Sequence, residues 1–337
     1  MKKLFFVFIV VLTASIIVMM SFGGTEVKKK DFITYVEFNV PYSALNKAMK
    51  IDINSQFEKI RINWIELLAY LGAKYGGDFK SYKVSDMDTL AEAIKGGESI
   101  DNLTKSMKYY NYYIEAYTAV LSEFVGKFTE YSTDEKGNIV EEEKYGLKVY
   151  SPIAYTFPYS EFDDFGVGRS YGFNRRHLGH DFIAATGTPV IAIETGIVET
   201  VGWNQYGGWR IGIRSLDKKR YYYYAHLRQN RPYHCDLNEG QQVIAGDVIG
   251  YVGRTGYSTV ENTNNIEQSH LHLGLQLIFD ESQKECDNEI WIDLYGISQL
   301  LSSHKSTTYR VTETKEFYSP RQQKSLLSTS DQGVEFS

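Results

Sequence analysis

Apolar residues recur along this chain at two different periods, and the change of period divides it. Trp64, Leu67, Leu68 and Leu71 stand at i, i+3, i+4 and i+7, the stripe of an amphipathic helix, and Gly76-Gly77 stops it. Ser85 followed by Asp88 resembles a capping box and predicts a second helix that ends at Gly96-Gly97. Tyr110, Tyr113, Tyr117, Val120, Leu121 and Phe124 share one face of a longer helix reaching about Gly126. Core packing accounts for this tyrosine stripe better than a glycan-binding face does. Asp134 to Asn138 reads as a turn and Ile139 to Val149 as a strand pair or connector. From Ser151 the texture shortens. Gly187, Gly196, Gly207, Gly208, Gly240, Gly246, Gly250, Gly253 and Gly256 separate short runs such as Val190-Ile191-Ala192-Ile193, a pattern of antiparallel strands joined by tight turns.

The expected fold class is α+β. A helical domain at 41–130 and a connector at 131–150 precede an antiparallel β-sheet domain at 151–302. Residues 25–40 read as a polar linker, and 303–337, rich in Ser, Thr, Lys and Gln, as a disordered tail. At the N-terminus, Lys2 and Lys3 precede an apolar run from Leu4 to Met20 broken only by Thr13 and Ser15. Residues 1–24 are therefore a signal anchor or a cleaved signal peptide, which places the remainder outside the cytoplasm. No cysteine follows this segment, which argues against a lipid anchor. Lys28, Lys29 and Lys30 on the outer side weaken the charge asymmetry expected of an anchor.

Composition narrows the function classes. A length of 337 residues suggests about two domains. A net charge of -6 leaves no basic excess to neutralise phosphates, so nucleic acid is not an expected partner. Cys235 and Cys286 are compatible with one disulfide or with two separate thiols. Histidine is the informative residue type. The chain has 7, and His177, His180, His226, His270 and His272 gather in three short segments. On a strand, His177 and Asp181 would share a face, with Gly179 between them leaving room for an ion, while His180 points away. His270 and His272 also share a face. A catalytic zinc site keeps three protein ligands of imidazole or carboxylate type and an open position. His177, Asp181 and one histidine of the final pair meet that count, with His226 and the other histidine beside the metal.

Six segments, in order, carry a family resemblance: the run from Arg169 to Asp181, Thr186-Gly187-Thr188-Pro189-Val190, Tyr224-Ala225-His226-Leu227, Gly240 to Gly246, Gly253-Arg254-Thr255-Gly256 and His270-Leu271-His272. Together they resemble the M23 peptidases of the lysostaphin and LytM type over about 151–301. Among these, clostridial cell-wall endopeptidases with a helical N-terminal region look nearest. The resemblance implies one zinc ion per chain held by His177, Asp181 and His272, with His226 and His270 catalytic. It also implies a zinc-dependent endopeptidase acting on peptidoglycan cross-links or stems. Such a protein would be membrane-anchored or secreted to the cell wall and open to envelope protein partners. By analogy with clostridial walls, the bond would lie next to D-alanine. Tyr206 and Tyr224 are candidate substrate contacts, with packing an equal alternative for each. One departure is the long Asn-rich loop from Tyr257 to Ser269, where many members pass almost directly to the histidine pair. It bears on specificity, and either it or the 25–40 linker is a candidate inhibitory segment.

Two other readings compete. A non-catalytic envelope or sporulation scaffold of M23-like fold, binding peptidoglycan or a partner protein, would share the N-terminus. Such scaffolds typically lose a ligand or a catalytic histidine, and this chain retains all of them. A biotinyl or lipoyl carrier would explain the hairpin-like Gly240 to Gly250, but it requires a modifiable lysine in the turn, and none is there.

Overall fold

A computed structural model describes residues 32–170, 174–235, 237–284, 286 and 288–329. The expected signal segment at 1–24 lies outside them, and no helix among the described residues is long and apolar enough to cross a membrane. Five helices come first: α1 (Tyr42–Ser55), α2 (Trp64–Tyr75), α3 (Val84–Lys95), α4 (Ile100–Thr104) and α5 (Tyr110–Leu121). In α2, Asn63 caps the N-terminus by accepting from the Ile65 amide at 2.8 Å, and Gly76 closes the C-terminus at φ 64°. Its Trp64, Leu67, Leu68 and Leu71 stripe is buried, as the spacing predicts. The tyrosine stripe of α5 is buried too, and Gly72 of α2 admits the rings of Tyr113 and Tyr117 so closely that a Cβ there would touch both. The stripe is therefore core, not a glycan face.

Three local expectations fail for identifiable reasons. The helix expected to open with a Ser85–Asp88 box begins at Val84, with Lys83 at its N-cap and no side-chain cap. Asp88 instead pairs with Lys47 at 2.5 Å. Helix α5 stops at Leu121, because the chain from Val125 enters a hairpin of β1 (Val125–Thr133) and β2 (Ile139–Leu147). The segment expected as a polar linker is, over 35–40, extended and packed. Val36, Phe38 and Val40 alternate inward, and Phe38 meets Tyr117 edge-on at 5.2 Å.

The remaining strands are β3 (Tyr159–Glu161), β4 (Gly168–Ser170), β5 (Asn174–Arg176), β6 (His180–Ala184), β7 (Pro189–Ile191), β8 (Gly196–Asn204), β9 (Gly208–Ser215), β10 (Arg220–Ala225), β11 (Gln242–Val243), β12 (Val248–Tyr251), β13 (His270–Leu277), β14 (Ile290–Trp291), β15 (Tyr309–Arg310) and β16 (Phe317–Tyr318). The main sheet runs β11-β8-β9-β10-β13-β6-β3, with β14 also paired to β13, and every pairing is antiparallel. The α+β expectation is met. In β13 the period of two puts Leu271, Leu273 and Leu275 into the core and turns His270 and His272 to the other face.

Helices and sheet belong to one unit from Tyr35 onward. Arg220, at the start of β10 and wholly buried, grips Glu194 with two hydrogen bonds at 2.8 and 3.0 Å. It also donates to the Ala119 carbonyl at 2.7 Å and the Ser122 hydroxyl at 3.0 Å, at the end of α5. A shorter helix, α6 (Tyr295–Leu301), approaches so near Val40 that a Cβ on Gly296 would lie 2.6 Å from the Val40 carbonyl.

The tail expected to be disordered is folded as far as residue 329. Strands β15 and β16 pair, and α7 (Pro320–Thr329) follows. Its polar residues reach specific buried partners. Arg321 holds Asp247, Gln322 accepts from the Val248 amide at 2.9 Å, and the Ser306 hydroxyl donates to the Gly246 carbonyl at 2.7 Å. Composition reports the polarity of such a segment but not its partners.

His304 fastens this tail. Its ring stacks on Tyr150 at 3.9 Å, and its Nδ1 lies 2.9 Å from the Val149 carbonyl. Burial pushes the imidazole below its ordinary 6.5, against the opposing pull of the Val149 carbonyl and Glu130. Below 6.5 the unfolded chain therefore takes up this proton more readily than the folded one. The contribution of His304 is complete above that pH and lost as pH falls. Urea midpoints measured from pH 7.5 to 5 should fall more steeply for the wild type than for His304→Gln. Equal slopes would show that His304 does not titrate with unfolding.

Candidate metal centre

The centre forms where β6 and β13 lie side by side. Their register sets His272 opposite Asp181 and His270 opposite Ile183, so both histidines and the carboxylate share one face. His177 arrives differently from the expectation. It precedes β6, in the loop after the β4–β5 hairpin, fixed by its amide to the Val167 carbonyl at 2.9 Å and by its carbonyl to the Gly166 amide at 2.7 Å. Gly179 does not leave space for an ion, contrary to the expectation from its spacing. A Cβ there would fall 2.5 Å from His272 Cε1 and 2.6 Å from the Leu273 carbonyl, so the glycine admits the His272 ring.

Three ligand atoms converge. His177 Nε2 lies 2.9 Å from His272 Nδ1 and 3.1 Å from Asp181 Oδ1, and His272 Nδ1 lies 3.1 Å from the same oxygen. His177, Asp181 and His272 form a group able to hold a metal, with ligand atoms within 4.8 Å of one another. The His177 Nδ1 faces the Asp164 carbonyl at 3.0 Å and carboxylate at 3.1 Å. That contact assigns the proton to Nδ1 and leaves the Nε2 lone pair facing the centre, the orientation metal-ligating histidines take. Imidazole nitrogens and a carboxylate oxygen converging on one point suit zinc by donor type and number.

The charges describe a place that demands a cation. Burial alone would lower His177, but hydrogen bonds and charges from Asp164 and Asp181 overcome it and bring it to about 9. Burial would likewise raise Asp181, yet His177 and His272 hold it far below the carboxylate range. Burial keeps His272 below its ordinary value in spite of Asp181. Metal ligands bind deprotonated, so a divalent ion arriving here would displace protons.

Two further nitrogens face the same pocket. His226 follows the end of β10 at φ 61°, a left-handed conformation, and its Nδ1 lies 2.9 Å from the Thr255 carbonyl. Burial, then the neighbouring His270 and His272, hold it well below 6.5, so the ring is neutral with Nε2 basic. His270 Nδ1 meets the Gln268 carbonyl at 2.9 Å, and its Nε2 stands 3.8 Å from Asp181 Oδ1. The structure thus brings together His177, Asp181, His226, His270 and His272. His180 faces away, as expected, held by Glu161 at 2.9 Å and Asp164 at 3.2 Å.

Of the two tyrosines expected to touch substrate, Tyr206 lines the pocket and Tyr224 does not. Tyr224 is wholly buried and accepts from the Ile193 amide at 3.1 Å. The period of two assigns the contact to its neighbour. Tyr223 lies on the face of Ala225, which pairs with His272, whereas Tyr224 pairs with Leu273. Burial raises Tyr223 to about 12, so its hydroxyl stays protonated as a donor. Sequence reasoning also missed Asp164, held at about 2 by His177 and His180 against the upward push of burial. Its signal was an acidic residue 13 positions ahead of His177. The Asn-rich loop is stapled down: Asn262 accepts from Trp209 Nε1 and the Asn230 amide, each at 2.8 Å, and Asn265 donates to the Tyr257 carbonyl at 2.7 Å. Tyr257 stands at the pocket wall, its ring 5.6 Å from that of His226. Cys235 Sγ lies 3.2 Å from the Tyr318 hydroxyl, and Cys286 donates to the Gln283 carbonyl at 3.3 Å.

The Peptidase family M23 profile matches residues 175–285. The L-Ala–D-Glu endopeptidase of Bacillus subtilis is 32% identical over 216 residues, 63% of this chain and 61% of that protein. The glycyl-glycine endopeptidase ALE-1 of Staphylococcus capitis is 40% identical over 98 residues, 29% of this chain and 24% of that one. The chain thus spans less than two thirds of the length of either relative. The solved catalytic domain of lysostaphin from Staphylococcus simulans is 31% identical, with 42% of this chain and 92% of that one covered and a TM-score of 0.32. Residues 175–285 of this chain thus carry a domain that matches peptidase family M23.

Proposed function

We propose that this protein is a zinc-dependent endopeptidase that hydrolyses amide bonds in the peptide part of peptidoglycan. The observation that carries the proposal is the convergence of His177 Nε2, Asp181 Oδ1 and His272 Nδ1 beside the imidazoles of His226 and His270. Zinc bound by the first three would polarise the scissile carbonyl and acidify a water molecule. The chain's own groups do the rest. His226, kept neutral by burial, and His270, which lines the same pocket, accept the proton of the attacking water and return it to the leaving amine. The Tyr223 hydroxyl donates toward the developing oxyanion. Half-buried Asp164 fixes the His177 tautomer. The apolar run at Leu4–Met20 would hold this activity on the outer side of the membrane, or release it there, where wall peptides lie. The scaffold alternative has no observation in its favour, because neither a ligand residue nor a pocket histidine is missing.

Purified protein should carry zinc near one per chain and release peptide fragments from sacculi. A chelator should stop that release, and added zinc should restore it. Mass spectrometry of the fragments identifies the bond. Zinc-loaded protein that releases nothing from any wall type would overturn the proposal and favour the scaffold.

A further inference from the structure

The β4–β5 hairpin sets two arginines, Arg169 and Arg175, directly opposite one another at the pocket wall. Like charges in that position oppose pairing of the strands. Arg169 is answered by two carboxylates, Asp164 at 3.1 Å and Asp181 at 3.3 Å. Arg175 is not. Its guanidinium meets the Tyr257 hydroxyl and lies over the Tyr257 and Tyr206 rings at 5.3 and 6.0 Å from their centres. Among the described residues no carboxylate pairs with it, and its buried Nε has no hydrogen-bond partner. Aromatic faces on two sides keep the planar fork in place without neutralising it. What remains is an oriented, unanswered fork in the same pocket as His226, His270 and the ligand group. Carboxylates fit such a fork with two parallel hydrogen bonds.

We propose that Arg175 holds a free carboxylate of the substrate beside the scissile amide, so that the site selects acidic peptides. This rests on the peptidase reading above and names its substrate class. Tyr257 sets the reach of the arginine, which gives the long loop its part in specificity.

The test uses matched peptides spanning the bond identified in sacculi, the flanking carboxylate free in one and converted to carboxamide in the other. Wild-type protein should favour the free acid about 10–100-fold in kcat/KM, mostly through KM, the range that charge-assisted hydrogen bonds supply. R175Q should bring that ratio close to one. R175K, a point charge without the fork, should keep part of it. Thermal melts and zinc content of both variants establish that fold and metal persist. A wild-type preference that survives in R175Q overturns the proposal, as does a scissile bond with no carboxylate beside it; either leaves the peptidase reading intact. If no wall is cleaved, the peptidase reading fails, and calorimetry with the peptide Ala-D-Glu and its carboxamide then decides the anchor. Tighter binding of the acid, abolished in R175Q, supports Arg175 as a carboxylate site, and equal binding refutes it.

Discussion

Replacing His272 by Ala should strip the protein of zinc and abolish peptide release, whereas His270→Ala should retain the metal and lose turnover by roughly 10²–10⁴-fold. The two residues are two positions apart on one strand and face the same way, so spacing alone does not separate them. The geometry does. His272 Nδ1 lies within 3.1 Å of Asp181 Oδ1 and 2.9 Å of His177 Nε2, inside the converging set. His270 Nε2 stands back at 3.8 Å from that oxygen, with its other nitrogen committed to the Gln268 carbonyl. Without His272 only two ligands remain, one short of the three that catalytic zinc sites keep. Without His270 all three persist and only a proton acceptor is gone. Metal per chain by elemental analysis, set beside initial rates on the same preparations, checks both halves. A His270→Ala protein that loses zinc as His272→Ala does would move His270 into the ligand set.

The sequence showed the site more fully than its surroundings, and the reason is physical. Ligand chemistry demands particular residue types. Five imidazoles in three short segments, with Asp181 four residues after His177, were therefore visible without any structure. What was invisible was backbone path and side-chain partners. His177 was read onto the strand of Asp181, although it reaches the centre from a loop. Gly179 was read as room for an ion, yet it admits the His272 ring. Tyr223 was not singled out, and only the pairing of β10 with β13 shows that it, and not Tyr224, lies on the face of the histidines. The helical stripes of α2 and α5 were legible because burial repeats at the helical period. The folded tail was not, since its attachment depends on single contacts such as Arg321 to Asp247 that leave no period behind.

The second large effect should appear far from the metal. Arg220→Ala is expected to destabilise the protein by about 3–5 kcal/mol, the cost of leaving a buried charge without its partner. All five N–H groups of Arg220 are engaged: with Glu194 at 2.8 and 3.0 Å, Asp217 at 2.8 Å, the Ala119 carbonyl at 2.7 Å and the Ser122 hydroxyl at 3.0 Å. Glu194 also accepts from the Tyr222 hydroxyl at 2.6 Å. Removing the arginine strands Glu194 in the interior and takes a cation from the C-terminal end of α5, where the helix dipole favours one. A loss of that size is a large share of the 5–15 kcal/mol typical of a native domain. The double replacement Arg220→Met with Glu194→Leu should cost less than the single one, because no buried charge is left unanswered. Urea midpoints of the three proteins measure this, and a double variant as weak as Arg220→Ala would place the loss in packing instead of charge. The chemistry should respond differently. Six strand residues, roughly 20 Å at about 3.3 Å each, separate Arg220 from His226. At temperatures where the variant stays folded, its zinc content and kcat should match those of the wild type. The network ties the helical layer to the back of the sheet, and the histidines act at the other end of the same strand.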